Sequence, residues 1–226
     1  MGVTGENALV VLSGGQDSTT CLYWAIDRFG RDNVATLTFD YGQRHRVELE
    51  CATRIAEYAG VTNVRLPINT FSALGGDALT DSGIPVEQGS SASSGLPNTF
   101  VPGRNLVFLT FAAAFAYQHG ITQIVTGVAQ TDYSGYPDCR EETILALQET
   151  LRLGMECDVV IHTPLMRLSK RQTVELARDL GGLPAMALTH TCYNGQRPPC
   201  GRCPACELRA KGFLEAGIDD PLLQSQ

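Results

Sequence analysis

Two stretches of this chain gather residue types that can do chemistry. The first is Leu12-Ser13-Gly14-Gly15-Gln16-Asp17-Ser18-Thr19-Thr20-Cys21-Leu22, which follows the apolar run Leu9-Val10-Val11. Two glycines admit a ligand close to the backbone. Ser13, Ser18, Thr19 and Thr20 are hydroxyl donors, and the unpaired N–H groups of a following helix attract anions. No lysine follows these glycines, so the loop is not a Walker A motif serving the β and γ phosphates. The second stretch holds Cys192, Cys200, Cys203 and Cys206, spaced C-x7-C-x2-C-x2-C. Thiolates two residues apart reach one metal around a tight turn. Four of them with no vacant position describe a structural zinc site. A C-x2-C-x2-C run also opens ferredoxin-type iron–sulfur motifs, but the next cysteine and its proline are absent. His190 is a substitute ligand that four cysteines make unnecessary.

Elements that alternate between strand and helix must carry these groups. Leu9 to Leu12, Val34 to Phe39, Val64 to Ile68, Ile121 to Gly127 and Val159 to Leu165 read as five strands. Helical spacing follows the first loop, recurs over Val47–Tyr58 and Glu141–Leu153, and runs from an N-cap at Ser169 to Leu180. Val101 to Asn105 opens a nearly all-apolar helix through Tyr117, a pattern that predicts burial between layers. Continuous apolar strands alternating with helices predict an α/β, doubly wound, mostly parallel sheet with helices on both faces. Ligands then bind beyond the carboxyl ends of the strands. The polar runs there are Ser13–Ser18, Asp40–His45, Gly127–Arg140 and the segment near Lys170. Arg44, Arg46, Arg104, Arg140, Lys170 and Arg171 are candidate phosphate or carboxylate ligands.

Residues 1–185 are expected to form the nucleotide-binding domain and 186–226 a zinc-binding C-terminal segment. Residues 69–102, rich in Gly, Ser and Ala, interrupt the rhythm as a flexible insertion or a lid over substrate. The net charge of −7 argues against a large nucleic-acid footprint, and 43% hydrophobic content supports a sizeable core. The N-terminus lacks the basic region of a secretory signal, and no apolar run spans a membrane, so a cytoplasmic protein is expected. Scattered Cys21 and Cys51 read as small buried apolar residues.

Taken together, the motifs resemble one family. Ser13–Ser18 matches the S-G-G-x-D-S loop of the N-type ATP pyrophosphatases, the PP-loop superfamily. Leu12–Cys21, F-D-Y-G-Q-R-H at Phe39–His45, V-P-G-R-N at Val101–Asn105, D-Y-S-G-Y-P-D-C-R at Asp132–Arg140, and H-T-C-Y-N-G with C-G-x-C-x-x-C in the tail are similar, in order, to the 7-cyano-7-deazaguanine synthase family of queuosine biosynthesis. The resemblance implies an adenine nucleotide alpha hydrolase-like fold and an ATP-dependent ligase. Such an enzyme turns 7-carboxy-7-deazaguanine and ammonia into the nitrile through adenylated intermediates, releasing AMP and pyrophosphate.

It implies that Leu12 to Leu22 bind ATP, with Asp17 also contacting Mg²⁺. Asp17, Arg104 and Lys170 are the catalytic candidates, and Zn²⁺ is held by the four cysteines. Arg44, Asp132, Tyr133, Ser134, Tyr136, Asp138 and Arg140 are candidate substrate ligands, since a carboxylate accepts two N–H bonds from a guanine-type edge and arginine pairs bidentately with a carboxylate. Small-molecule partners and a homodimer are implied, with no stable nucleic acid and no membrane. Two readings compete: a PP-loop enzyme that adenylates a tRNA base, which would want a basic surface, and a non-enzymatic zinc-stabilised nucleotide-binding module, which leaves the polar strand-end runs without a role.

Overall fold

The computed structural model describes residues 6–43, 47–81, 83–87, 96–130 and 136–224. Its elements run β1 (Ala8–Val11), α1 (Gln16–Phe29), β2 (Val34–Asp40), α2 (Val47–Ala59), β3 (Thr62–Pro67), α3 (Phe71–Leu74), α4 (Arg104–Gln118), β4 (Gln123–Val125), α5 (Glu141–Met155), β5 (Val160–His162), α6 (Lys170–Asp179), α7 (Pro204–Ala216) and α8 (Pro221–Gln224). Short 3-10 turns cover Arg31–Asn33, Pro137–Cys139 and Leu183–Leu188.

Among the described residues the five strands form one parallel sheet, ordered β3-β2-β1-β4-β5. Register places Leu9 of β1 between Ala35 of β2 and Ile124 of β4. The period-two alternation of a strand then sorts side chains to two faces. Ala8, Val10 and Leu12 pack with Cys21, Leu22, Ala25 and Phe29 of α1 and Ala52, Ile55 and Ala56 of α2. Leu9, Leu37, Phe39 and Ile124 pack on the opposite face with Leu109, Ala112 and Ala116 of α4 and Ile144 and Leu151 of α5. Leu9, Leu37 and Ile124 are fully buried, each worth roughly 1.5–3 kcal/mol. The chain order reverses on either side of β1. The loops leaving β1 and β4 therefore diverge, and a crevice opens between them at the carboxyl end of the sheet. Pro67, which cannot donate to a ladder, closes the edge strand β3.

Two expectations need correction. β4 and β5 are three residues each, shorter than the apolar runs that predict them, because Val128, Val159 and Leu165 are buried from irregular backbone on either side. Helix α4 is not enclosed between layers. A stripe at Leu109, Ala112, Ala113 and Ala116 covers the sheet, while Phe111 and Tyr117 remain 44% and 56% exposed. The helix is an outer layer with apolar residues on both sides. In the 69–102 segment, the run Gly89–Gly95 lies outside the described residues. Its flanks are pinned: Asp77 accepts from Leu79 N, Thr80 N and Thr80 Oγ1, and Ala78 N donates to Asn98 O.

The C-terminal segment packs on the sheet domain. Phe213 of α7 joins Met186 and the α6 residues Val174 and Ala177 in one small core. Arg209 is 4% exposed and fully engaged. Its Nε and Nη2 donate to Asp220 at 2.6 and 2.8 Å, Nη1 to Thr189 Oγ1 and Thr191 Oγ1 at 2.8 and 2.9 Å, and Nη2 also to Met186 O at 3.2 Å.

Candidate active site

The loop from β1 to α1 lies where the sheet topology opens the crevice. Gly14 adopts φ +87°, and a Cβ there would lie 2.3 Å from Glu48 O. Glycine is thus required both by conformation and by the close approach of α2. On the other side a Cβ on Gly127, just past β4, would meet Ser18 N at 3.0 Å. The loop is clamped between α2 and the end of β4.

Its hydroxyls divide into two groups. Ser13 Oγ and Ser18 Oγ are 3.0 Å apart, and Ser13 N donates to Ser18 Oγ at 3.2 Å. Ser18 Oγ also reaches Gly15 O at 3.2 Å, whereas Thr19 and Thr20 donate to the carbonyls of Gly15 and Gln16 and do not line the cleft. Thr19, Thr20, Cys21 and Leu22 are buried toward the core, and Cys21 Sγ donates to Thr126 O. The expectation that four hydroxyls face an anion narrows to two.

A cleft of about 300 Å³ opens over this loop. Leu12, Ser13, Gly15, Gln16, Asp17 and Ser18 line its floor, and Tyr41, Glu48, Arg104, Lys170 and Tyr193 are among the residues of its walls. Among the described residues, two buried polar atoms of the floor have no hydrogen-bond partner, Gln16 Nε2 and Asp17 Oδ1. Unpaired groups of this kind are rare in a folded interior, and here both face the cleft floor. The second oxygen of Asp17 accepts from Lys170 Nζ at 2.7 Å across 153 residues of chain. A capping box at Ser169 and Gln172 fixes the start of α6 and therefore the position of Lys170.

Arg104 projects from the start of α4. Its Nη1 donates to Tyr41 Oη at 3.4 Å, and its guanidinium stands 5.8 Å from the centroid of that ring. Burial raises the Tyr41 pKa above its ordinary value despite the opposing charge of Arg104. Burial also raises Glu48 to about 7, against the same arginine. Tyr136 lines the cleft and shares a 2.6 Å hydrogen bond with Thr99 Oγ1.

The remaining candidate residues fall elsewhere. Asp138 does not line the cleft; it is buried, and its Oδ2 accepts from Asn105 N at the start of α4 at 3.0 Å. Arg140 is exposed as the N-cap of α5. Arg171 is exposed and pairs with Glu175. Arg44, Arg46, Asp132, Tyr133 and Ser134 lie outside the described residues. Sequence reasoning missed Glu48, Asn105, Tyr193 and Arg209 as cleft residues. Asn105 and Tyr193 lie inside motifs already singled out, whereas Glu48 and Arg209 carry no local signal.

The four cysteines come together. Their sulfur atoms all lie within 4.8 Å of one another, and Cys192, Cys203 and Cys206 are buried. Tetrahedral zinc with Zn–S bonds near 2.3 Å needs sulfurs about 3.8 Å apart, and Cys200 Sγ and Cys206 Sγ stand at 4.0 Å. The donor set therefore fits zinc with little rearrangement. A hydrogen bond from the Cys206 thiol pulls Cys203 below its ordinary value, which favours the thiolate form that binds metal. His190 is buried beside the cleft, with Nε2 against Cys192 O at 2.9 Å, and it is not among the clustered ligands.

Comparison with known proteins agrees with this architecture. Residues 7–217 match the family model described as queuosine biosynthesis protein QueC. The chain is 67% identical over 219 residues to the 7-cyano-7-deazaguanine synthase of Chromobacterium violaceum, covering 97% of this chain and 94% of that protein. It is 66% identical to the enzyme of the same name from Laribacter hongkongensis, covering 96% and 94%. Among solved structures, a predicted subunit of tRNA methyltransferase from Methanocaldococcus jannaschii superposes with a TM-score of 0.50 at 17% identity, covering 76% of this chain and 74% of that one. That likeness concerns the fold alone. With a family match along nearly all of its length and relatives this close, the chain belongs to the QueC family of queuosine biosynthesis proteins.

Proposed function

We propose that this chain is an ATP-dependent 7-cyano-7-deazaguanine synthase, joining nitrogen to a deazapurine carboxylate and carrying it to the nitrile. The observation that carries the reading is the cleft floor. A strand-to-helix glycine loop presents an unpaired Gln16 amide, an unpaired Asp17 oxygen and the paired Lys170 to one crevice. ATP fits there with its phosphates on the loop and the α1 N-terminus. Asp17 Oδ1 suits Mg²⁺, which favours a carboxylate together with phosphate oxygens; when bound, that ion would neutralise charge on the pyrophosphate.

A carboxylate is a poor electrophile because its oxygen leaves badly. Adenylation converts it to a mixed anhydride that ammonia attacks to give an amide. A second adenylation on the amide oxygen lets AMP depart as the nitrile forms. Both adenylations need the α-phosphate beside a substrate oxygen, so one cleft serves both. Arg104 and Lys170 reach the cleft as fixed cations for charge developing on phosphate. The Tyr136 and Tyr193 walls suit a flat heterocycle. The substrate roles of Arg44, Asp132, Tyr133 and Ser134 stand as proposals from the motif alone. The cysteine cluster holds zinc in a structural role, with residues 186–226 as the segment it organises. The exposed Phe111 and Tyr117 on α4 and Leu145 and Leu153 on α5 support a homodimer, which sedimentation velocity would test. A cysteine cluster spaced for metal, not for disulfides, suits the cytoplasm.

The decisive assay incubates purified protein with 7-carboxy-7-deazaguanine, ammonium, ATP and Mg²⁺ and weighs the products. Nitrile, AMP and pyrophosphate are expected; no nitrile and no AMP above background overturns the proposal. AMP only on addition of tRNA would instead identify a tRNA-adenylating enzyme.

A further inference from the structure

Among the described residues, two carboxylates line the cleft, Asp17 and Glu48. Asp17 pairs through Oδ2 with Lys170, and its Oδ1 is the oxygen proposed for Mg²⁺. Glu48 has neither a hydrogen bond nor an ion pair within the described residues, although it stands in the first turn of α2 with its own carbonyl packed against Gly14. Arg44, His45 and Arg46, which precede α2, are outside the described residues. The groups that sense its charge are Arg104 on α4, Tyr41 beyond β2 and Cys51 on α2. Asp17, Lys170 and Arg209 are the further charged groups of the cleft. The backbone of Glu48 touches the anion loop itself, so its side chain is anchored beside the place where adenylation occurs.

The reaction creates a specific need at that place. Ammonia arrives in water mostly as ammonium, which has no free electron pair. Nitrogen must lose protons before it can attack, and again before a triple bond can form. A fixed cation cannot accept them, and an ordinary exposed carboxylate is too weak a base to do so efficiently.

We propose that Glu48 is the proton acceptor for nitrogen in nitrile synthesis, an assignment that rests on the function proposed above. In the first half, its carboxylate takes one proton from ammonium. The freed electron pair forms the C–N bond at the acyl adenylate, and the C–O bond to AMP breaks with its electrons leaving on the phosphate. The other surplus proton of the adduct passes to solvent, leaving the amide. Glu48 then returns its proton to water through the open cleft. In the second half, adenylation of the amide oxygen leaves a protonated imidate, which gives one N–H proton to solvent; Glu48 takes the other, and that electron pair completes the C≡N bond as the C–O bond to the second AMP breaks. Burial, which sets Glu48 near 7, matches an acceptor to the working pH.

The test compares wild type, Glu48→Gln and Glu48→Asp in two assays. Carboxylate-dependent exchange of labelled pyrophosphate into ATP reports the first adenylation, which moves no proton from nitrogen. Nitrile formation at saturating ammonium reports the whole sequence. For E48Q, exchange should stay within about three-fold of wild type while nitrile formation falls by about 100-fold or more. Wild-type kcat should rise with pH and level off above about 7, and E48Q should lose that limb. E48D should keep the limb with a kcat lowered at least about ten-fold, because its carboxylate is withdrawn by one methylene.

E48Q forming nitrile at the wild-type rate, or losing exchange in parallel with nitrile, overturns the assignment. So does E48D at wild-type kcat, a result that decides the matter even where E48Q fails to fold. Failure of the wild-type protein to make nitrile would strike the functional reading instead, so the two failures are distinguishable.

Discussion

Adjacent glycines in the anion loop should fail in opposite ways when each is replaced by alanine. Gly14 holds φ +87°, and its Cβ would lie 2.3 Å from Glu48 O, 3.0 Å from Ala52 N and 3.1 Å from Cys51 Cβ. The left-handed backbone costs about 1–2 kcal/mol for an L side chain. The overlap is with backbone, so α2 must move, and overpacking of that kind costs about 1–3 kcal/mol. A total near 3 kcal/mol, at about 2–4 °C per kcal/mol for a domain of this size, lowers Tm by roughly 6–12 °C. Gly15 has φ −89° and ψ 171°, open to any residue, and its Cβ would meet only Ser13 Oγ at 3.5 Å and His190 O at 3.6 Å. Gly15→Ala should change stability by under about 1 kcal/mol. Its new methyl intrudes where phosphate approaches, so ATP affinity should fall by about 10–200-fold. Thermal melts and ATP titration of the two variants separate the effects. A Gly14→Ala protein melting with wild type, or a Gly15→Ala protein binding ATP as wild type does, would refute the geometry.

Lys170→Met should lower the pyrophosphate-exchange rate by about 100–1,000-fold, because a fixed cation beside the phosphates is lost. Asp220→Ala strips the Arg209 guanidinium of its buried partner and should destabilise the protein by about 3–5 kcal/mol, read from urea midpoints. His162 is pulled below its ordinary pKa by burial and by Arg28, so the unfolded chain binds its proton more readily. Stability should therefore fall as pH drops through and below about 6.5. His162→Gln should flatten that slope between pH 7 and 5 in thermal melts.

Much of this arrangement is legible in the sequence because it depends on local pattern. The apolar run ending at Leu12 makes a buried strand, and a helix then has to begin at the glycines. The cysteine spacing works at the length of a tight turn. What escaped depends on partners distant in the chain. Asp138 reads as a base-edge acceptor, yet it satisfies a backbone N–H at the start of α4. Glu48 reads as an ordinary acid in a helix's first turn, where the dipole favours it. Only the crossing of α2 under the loop sets it in the cleft. Arg209 looks like a surface arginine on α7 until Thr189, Thr191 and Asp220 converge on it. The uniform apolarity of α4 implies enclosure, because sequence does not reveal how many layers are available to cover a helix.

The hydrogen bond from His190 N–H to Gly14 O, at 2.9 Å, joins the segment leading into the cysteine cluster directly to the anion loop. Cys192 follows two residues later, and the carbonyl of that cysteine receives the His190 ring. Zinc at the cluster and ATP at the loop, both proposed above, would then act on the same backbone. Whatever free energy zinc lends to the order of Gly14 must, by thermodynamic reciprocity, be returned by ATP to the retention of zinc. A site proposed as structural would then also weigh on ATP affinity.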